Sequence, residues 1–190
     1  MKSRVKAVLV TALLVLTALV ATASPASASI GKGTKFTGTG LTVWAHFRPT
    51  LDSGYLPVSA VDLRAICSVV GAGGVVWNLV YDNHNLRTGF TYASYLTNPE
   101  LNQGCWNVGK ATGGVKADSW VHLYPQANWD HMVVSPGHDI AALCTLGDIY
   151  DPTDGNYRWW GLFLDHDTNT VGFTWETSFN WLPETPWCYS

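Results

Sequence analysis

The chain has 190 residues with 14 acidic against 11 basic side chains, a net charge of −3, and ten Trp, eight Tyr and six Phe. An acidic balance disfavours a nucleic-acid partner, whose phosphates select basic surfaces. Beyond the N-terminal segment no run reaches the ~18 apolar residues that a membrane-spanning helix needs.

Lys2, Arg4 and Lys6 precede an apolar run from Ala7 to Val20, and small residues lead to Ala26-Ser27-Ala28. This is the pattern of a secretory signal peptide over residues 1–28. The remainder is expected to be secreted, extracellular or attached to the cell wall, and free of the membrane after cleavage. The segment holds three basic residues and no acid, so its loss takes the net charge from −3 to −6. A monomer is expected, with 29–37 as an N-terminal extension.

From there the chain repeats itself. Trp44, His46 and Pro49 correspond to Trp120, His122 and Pro125, and Asp62, Ala65 and Cys67 to Asp139, Ala142 and Cys144. Further on, Trp77, Leu79, Asp82, Gly89, Phe90, Thr91 and Cys105 correspond to Trp160, Leu162, Asp165, Gly172, Phe173, Thr174 and Cys188. The offset grows within the stretch DIYDPTDGNY (148–157), which reads as a longer surface loop in the second copy. The copies are taken as 38–108 and 115–190, joined by a flexible linker, GKATGG, at 109–114.

Both copies read as strands rather than helices. Short runs rich in Val, Ile, Thr and aromatics alternate with Gly, Asn, Asp and Pro, the pattern of small all-β domains. In the first copy the expected strands are Leu41 to Phe47, Val61 to Val70, Val75 to Asp82 and Thr88 to Tyr92. In the second they are Ser119 to Leu123, Asp139 to Thr145, Arg158 to Leu164 and Val171 to Trp175. The tips DNHNLR and DHDTNT each close a hairpin. Four cysteines in an oxidising compartment predict two disulfides. If each copy folds alone, the bridges are Cys67 to Cys105 and Cys144 to Cys188, each contributing about 3 to 4 kcal/mol in the chain-entropy model.

The blocks WNLVYDNHNLRTGFTYASYL (77–96) and WGLFLDHDTNTVGFTWETSF (160–179) resemble the end of a bacterial SH3 domain. That family has a Trp opening a strand, a polar hairpin tip, then Gly-aromatic-small and a closing Ser/Thr-x-Tyr-Leu. The segment VVSPGHDIAALC (133–144) is similar to its Gly-containing turn and following strand, and the cysteines match disulfide-bearing extracellular members from filamentous soil bacteria. WAHFRP (44–49) and WVHLYP (120–125) depart from the usual Val-Arg-x-Gly-Pro. The resemblance implies two tandem SH3-like β-barrels, each with one disulfide, and a cell-wall peptidoglycan or peptide ligand.

Three places in the sequence could carry chemistry. Asp165-His166-Asp167 and Asp82-Asn83-His84 could ligate a metal, but Asp and Asn in hairpin tips more often serve the turn. His46 and His122 could act with Asp62 and Asp139 as a base and its orienter, or be structural in each copy. Glu176 is a conceivable catalytic acid, and a solvated edge position is the simpler reading. The chain after the signal segment has no HExxH, GxSxG or phosphate-cradling loop, and no catalytic residue, metal or cofactor is assigned.

The aromatic excess instead favours binding by stacking. The candidate ligand-binding residues are Trp44, Tyr55, Trp77 and Tyr92 in the first copy and Trp120, Trp129, Trp160 and Trp175 in the second. Tyr55 and Trp129 are placed in a divergent loop, Trp77 and Trp160 at the core edge, and Tyr92 and Trp175 on the face opposite Phe90 and Phe173. The expected partner is cell-wall peptidoglycan, the alternatives being an extracellular protein that is bound or inhibited, or a glycan that is hydrolysed.

Overall fold

The computed structural model describes residues 33–34, 43–59, 62–97, 103–126 and 130–188. Residues 1–28, where a signal peptide is expected, and Trp129 lie outside the described residues.

Twelve strands make up the described fold. They are β1 (Gly33–Thr34), β2 (Val43–His46), β3 (Tyr55–Val58), β4 (Leu63–Val70), β5 (Val76–Asp82), β6 (Arg87–Tyr92), β7 (Lys110–Ala111), β8 (Ser119–Val121), β9 (Met132–Val134), β10 (Ile140–Asp151), β11 (Asn156–Asp165) and β12 (Thr170–Trp175). The rest of the described chain is turns, bends and short 3₁₀ turns, so the protein is all-β, as its period-2 patterning predicts. In the first half one antiparallel sheet runs β1-β4-β5-β6-β2-β3. In the second, β7-β10-β11-β12 form a sheet and β8-β9 a separate pair. His122 and Phe173 exchange backbone hydrogen bonds of 2.9 and 2.7 Å, where the first half pairs His46 with Phe90. The strand order is therefore the same in both halves.

The expectation of closed barrels is not met. The first sheet is an open array that ends in β1 and β3. The apolar faces are covered instead by the other half. One core cluster joins Ile66, Trp77, Leu79, Tyr81 and Phe90 to Leu143, Trp160, Leu162 and Phe173. Phe47, from the first half, packs with Val121, Leu123, Phe163 and Phe179 of the second. Polar contacts across the junction are reciprocal: Thr88 N–H donates to Leu123 O at 2.8 Å, and Val171 N–H donates to Phe47 O at 2.9 Å. Those four residues are two equivalent pairs, so the halves are related by an approximate twofold.

The disulfides are Cys67–Cys105 and Cys144–Cys188, each inside one half and buried in the common cluster. Asp82 and Asp165, fully buried at their hairpin tips, explain the Asx-rich sequences there. Asp82 Oδ1 accepts from the backbone N–H of His84 and Asn85, and Asp165 Oδ1 from those of Asp167 and Thr168.

Three further expectations change. DIYDPTDGNY is no loop: β10 and β11 continue through it as a hairpin arm with Tyr150 opposite Tyr157, and only Pro152 to Gly155 turn. Its Tyr and Ile residues suit a pleated ladder, which the turn-forming Asp, Pro and Gly mask in the sequence. Within 109–114, β7 pairs with β10, and Thr112 N–H and Oγ1 both donate to Ile140 O at 3.0 Å, so the segment is held in place. β1 pairs with β4 in the matching place. The sequences IGKGT (30–34) and VGKAT (108–112) show that the repeated unit includes this strand.

Candidate functional site

Residues two apart on a strand share a face. Tyr92 therefore lies on the same side as Phe90, and Trp175 on the side of Phe173, not opposite them as expected. Both are partly buried at the rim of the common core. Tyr55 belongs to edge strand β3 and not to a loop, which brings it beside β2: Tyr55 pairs with His46 in register.

In the first half this register lines the rings up. Trp44 meets Tyr55 with centroids 4.9 Å apart, Tyr55 meets His46 at 5.4 Å, and His46 meets Trp77 at 5.5 Å. Trp77 lies 4.2 Å from Tyr92, and Tyr92 meets Tyr95 at 5.4 Å. Trp44 and Tyr55 are exposed at one end, while Trp77 is buried in the middle.

The second half repeats the row with different rings. Trp120, 60 % exposed, stacks on His131 at 4.3 Å and 23°. His131 stands where Tyr55 does in the first half. His122 lies 6.0 Å from both His131 and Trp160, and Trp160 is 6.1 Å from Trp175. The position of Tyr95 is taken by Ser178. With that phenol missing and the two indoles farther apart, a cleft of about 250 Å³ opens between Asp118, Ser119, Trp120, His122, Trp160, Thr174, Trp175 and Ser178. Trp160 is fully buried at its floor, and the indole N–H groups of Trp160 and Trp175 have no hydrogen-bond acceptor. The guanidinium carbon of Arg158 lies over the Trp175 ring, 4.1 Å from its centroid. The same Arg is paired with Asp154.

The histidines do not form acid–base pairs with the carboxylates suggested by the sequence. Asp62 accepts from Asn83 Nδ2 and Arg64 Nε, and Asp139 Oδ2 is 3.1 Å from His166 Nδ1. His46 is buried against aromatic rings, and desolvation pushes its pKa below the usual value, which keeps it neutral near pH 7. His122 Nδ1 lies 3.3 Å from Asp130 O. Both imidazoles serve as members of the ring rows.

Of the acidic tips, His138, Asp165 and Asp167 bring possible ligand atoms within 4.8 Å of one another. Asp165 is already engaged: beyond the two backbone donors at Oδ1, Oδ2 accepts from Thr168 Oγ1 and lies 2.7 Å from His138 Nδ1. Asp167 Oδ2 accepts from Asp139 N–H. This is a turn-capping arrangement, and Asp165 raises the pKa of His138 above its ordinary value by hydrogen bonding and by its charge.

Comparison with known protein families, curated proteins and solved structures finds no match.

Of the candidate residues, the structure gathers Trp120, Trp160 and Trp175 around one cleft and Trp44, Tyr55, Trp77 and Tyr92 in one row. Sequence reading missed His131, Ser178 and Arg158. Laying the repeat offsets over Tyr55 and Tyr95 would have found the first two, since 55 and 131 follow the offset of Trp44 and Trp120, and 95 and 178 that of Trp77 and Trp160. Arg158 carries no such signal because it belongs to the arm unique to the second half.

Proposed function

We propose that this is a secreted, non-catalytic binding protein, built as a pair of SH3-like units, that attaches to cell-wall peptidoglycan through its aromatic rows. The observation that carries the reading is the cleft beside Trp120, Trp160 and Trp175. Trp120 and Trp175 present apolar ring surface there while Asp118, Ser119, Thr174 and Ser178 surround them with hydrogen-bonding groups, the combination that binds sugar rings and peptide methylenes. Two buried disulfides are compatible with an oxidising extracellular setting. The imidazole–carboxylate pairs, His138 with Asp165 and His166 with Asp139, belong to the hairpin tip and not to the lining of this cleft.

The test is co-sedimentation of the purified chain with insoluble peptidoglycan. The protein should pellet with it, and Trp120→Ala, which removes an exposed ring without touching the core, should leave most of it in the supernatant. A chain that stays soluble at every peptidoglycan concentration refutes the reading. Retention of a single secreted protein on a column of the immobilised chain, without pelleting, would favour protein binding instead.

A further inference from the structure

Trp175 borders two clefts. The one already described meets it from the Trp160 side. A second, of about 270 Å³, is lined by Tyr157, Arg158, Trp159, Trp175, Glu176 and Thr177. Tyr157 and Trp159 come from the extended hairpin arm that only the second half possesses, and both are exposed. Each cleft falls below the ~300 Å³ at which pockets for drug-sized ligands begin, so each suits one ring-sized unit and not a larger molecule.

The unmet polar groups along the groove are all donors. Trp160 Nε1, Trp175 Nε1 and Arg158 Nε are all buried donors without acceptors. Unmet donors of this kind are costly, and a ligand that brings oxygen acceptors recovers that cost. The groove's carboxylates, Asp118 in one cleft and Glu176 in the other, disfavour an anionic ligand and accept hydroxyls. Exposed Trp120, stacked on His131, offers a flat face at the open end. The occupant this describes is neutral, hydroxylated, broad-faced and rich in carbonyl acceptors.

Resting on the cell-wall reading above, we propose that the second half binds the glycan strand and not the peptide, with consecutive N-acetylated hexosamine units in the two clefts that Trp175 borders. The sugar's C–H face stacks on the indoles, its acetamido oxygen accepts from an indole N–H, and its hydroxyls donate to Asp118 or Glu176. Arg158 is a positioning residue: its cation over Trp175 holds the partition between the subsites upright. The first half, with Tyr95 where the second has Ser178, packs its rings together at this point.

The test is calorimetric titration of the full chain, with its disulfides formed, using the N-acetylglucosamine trimer, the glucose trimer of the same linkage, and a tetrapeptide released from peptidoglycan. The acetylated trimer should bind about tenfold or more tighter than the glucose trimer, because each acetamido oxygen meets a waiting donor. Trp175→Phe, which keeps a ring and removes the N–H, should narrow that preference about threefold to tenfold. Ser178→Tyr should close the first cleft and abolish the preference. Trp120→Ala, on the surface, should weaken both trimers alike and guards against a folding defect in Ser178→Tyr. Equal affinity for the two trimers, or binding of the tetrapeptide alone, overturns the proposal even if the chain pellets with peptidoglycan. A chain that does not pellet overturns the cell-wall reading as well.

Discussion

The two halves share a strand order, a disulfide position and a buried tip aspartate, yet treat the same ring row differently. In the first half Trp77 and Tyr92 close to 4.2 Å with Tyr95 beyond them; in the second Trp160 and Trp175 stand 6.1 Å apart, Ser178 replaces the tyrosine, and a cleft opens. The scaffold is constrained at both places by the shared core. What varies is the set of side chains at its rim, which cost little to exchange because they are only partly buried.

The sharpest way to break the comparison is to attack what the halves share. Phe47→Ala lies in the first half but empties a site in the second half's cluster, and should destabilise the whole protein by about 3 to 5 kcal/mol in a single cooperative denaturant transition. Two separate transitions would mean that the halves fold independently. Removing Cys144 and Cys188 together, or Cys67 and Cys105, should cost about 3 to 4 kcal/mol each, since the bridges span separations of 44 and 38 residues. Equal losses by chemical denaturation would confirm that the two staples are equivalent. A smaller effect should come from exchanging the rim. Tyr95→Ser removes a partly exposed ring and should cost about 1 kcal/mol while opening the first row, readable as a change in Trp fluorescence.

Acid should sharpen the contrast with the smallest effect. His46 has its pKa lowered by burial, so the unfolded chain takes up the proton first, and its contribution falls as pH drops through the unfolded value near 6.5. His138 has its pKa raised by Asp165, so its contribution is present below 6.5 and is lost as pH rises through the higher folded value. Denaturant midpoints taken from pH 8 to 5 should therefore fall less, or rise more, in His46→Gln than in the parent, and should lose an acid-side gain in His138→Gln.

Much of this was legible in the sequence. The paired cysteines, the Trp-His-Pro and Gly-Phe-Thr correspondences and the hairpin tips follow local rules, and the strands beneath them lie within a few residues of where the patterning puts them. The open sheets packed on one another were not, because closure depends on which surface covers each sheet, and Phe47 bears no mark saying that its partners are Val121 and Phe163. The hairpin arm was misread because Asp148, Pro152 and Gly155 are turn residues whichever way their neighbours pair. The ring rows depend on register across strands: Tyr55 reaches His46 only because β3 pairs with β2, a non-local fact. Half of the site's definition, Ser178 and His131, is visible only when one copy is read through the other.

The reciprocal bonds from Thr88 to Leu123 and from Val171 to Phe47 have a bearing on how such asymmetry can arise. In a symmetric assembly of identical chains every substitution appears twice, so a tyrosine lost to open one recess is lost from both. Covalent fusion lifts that restriction and makes the association independent of concentration, leaving one face free to keep its tyrosine while its twin carries a recess.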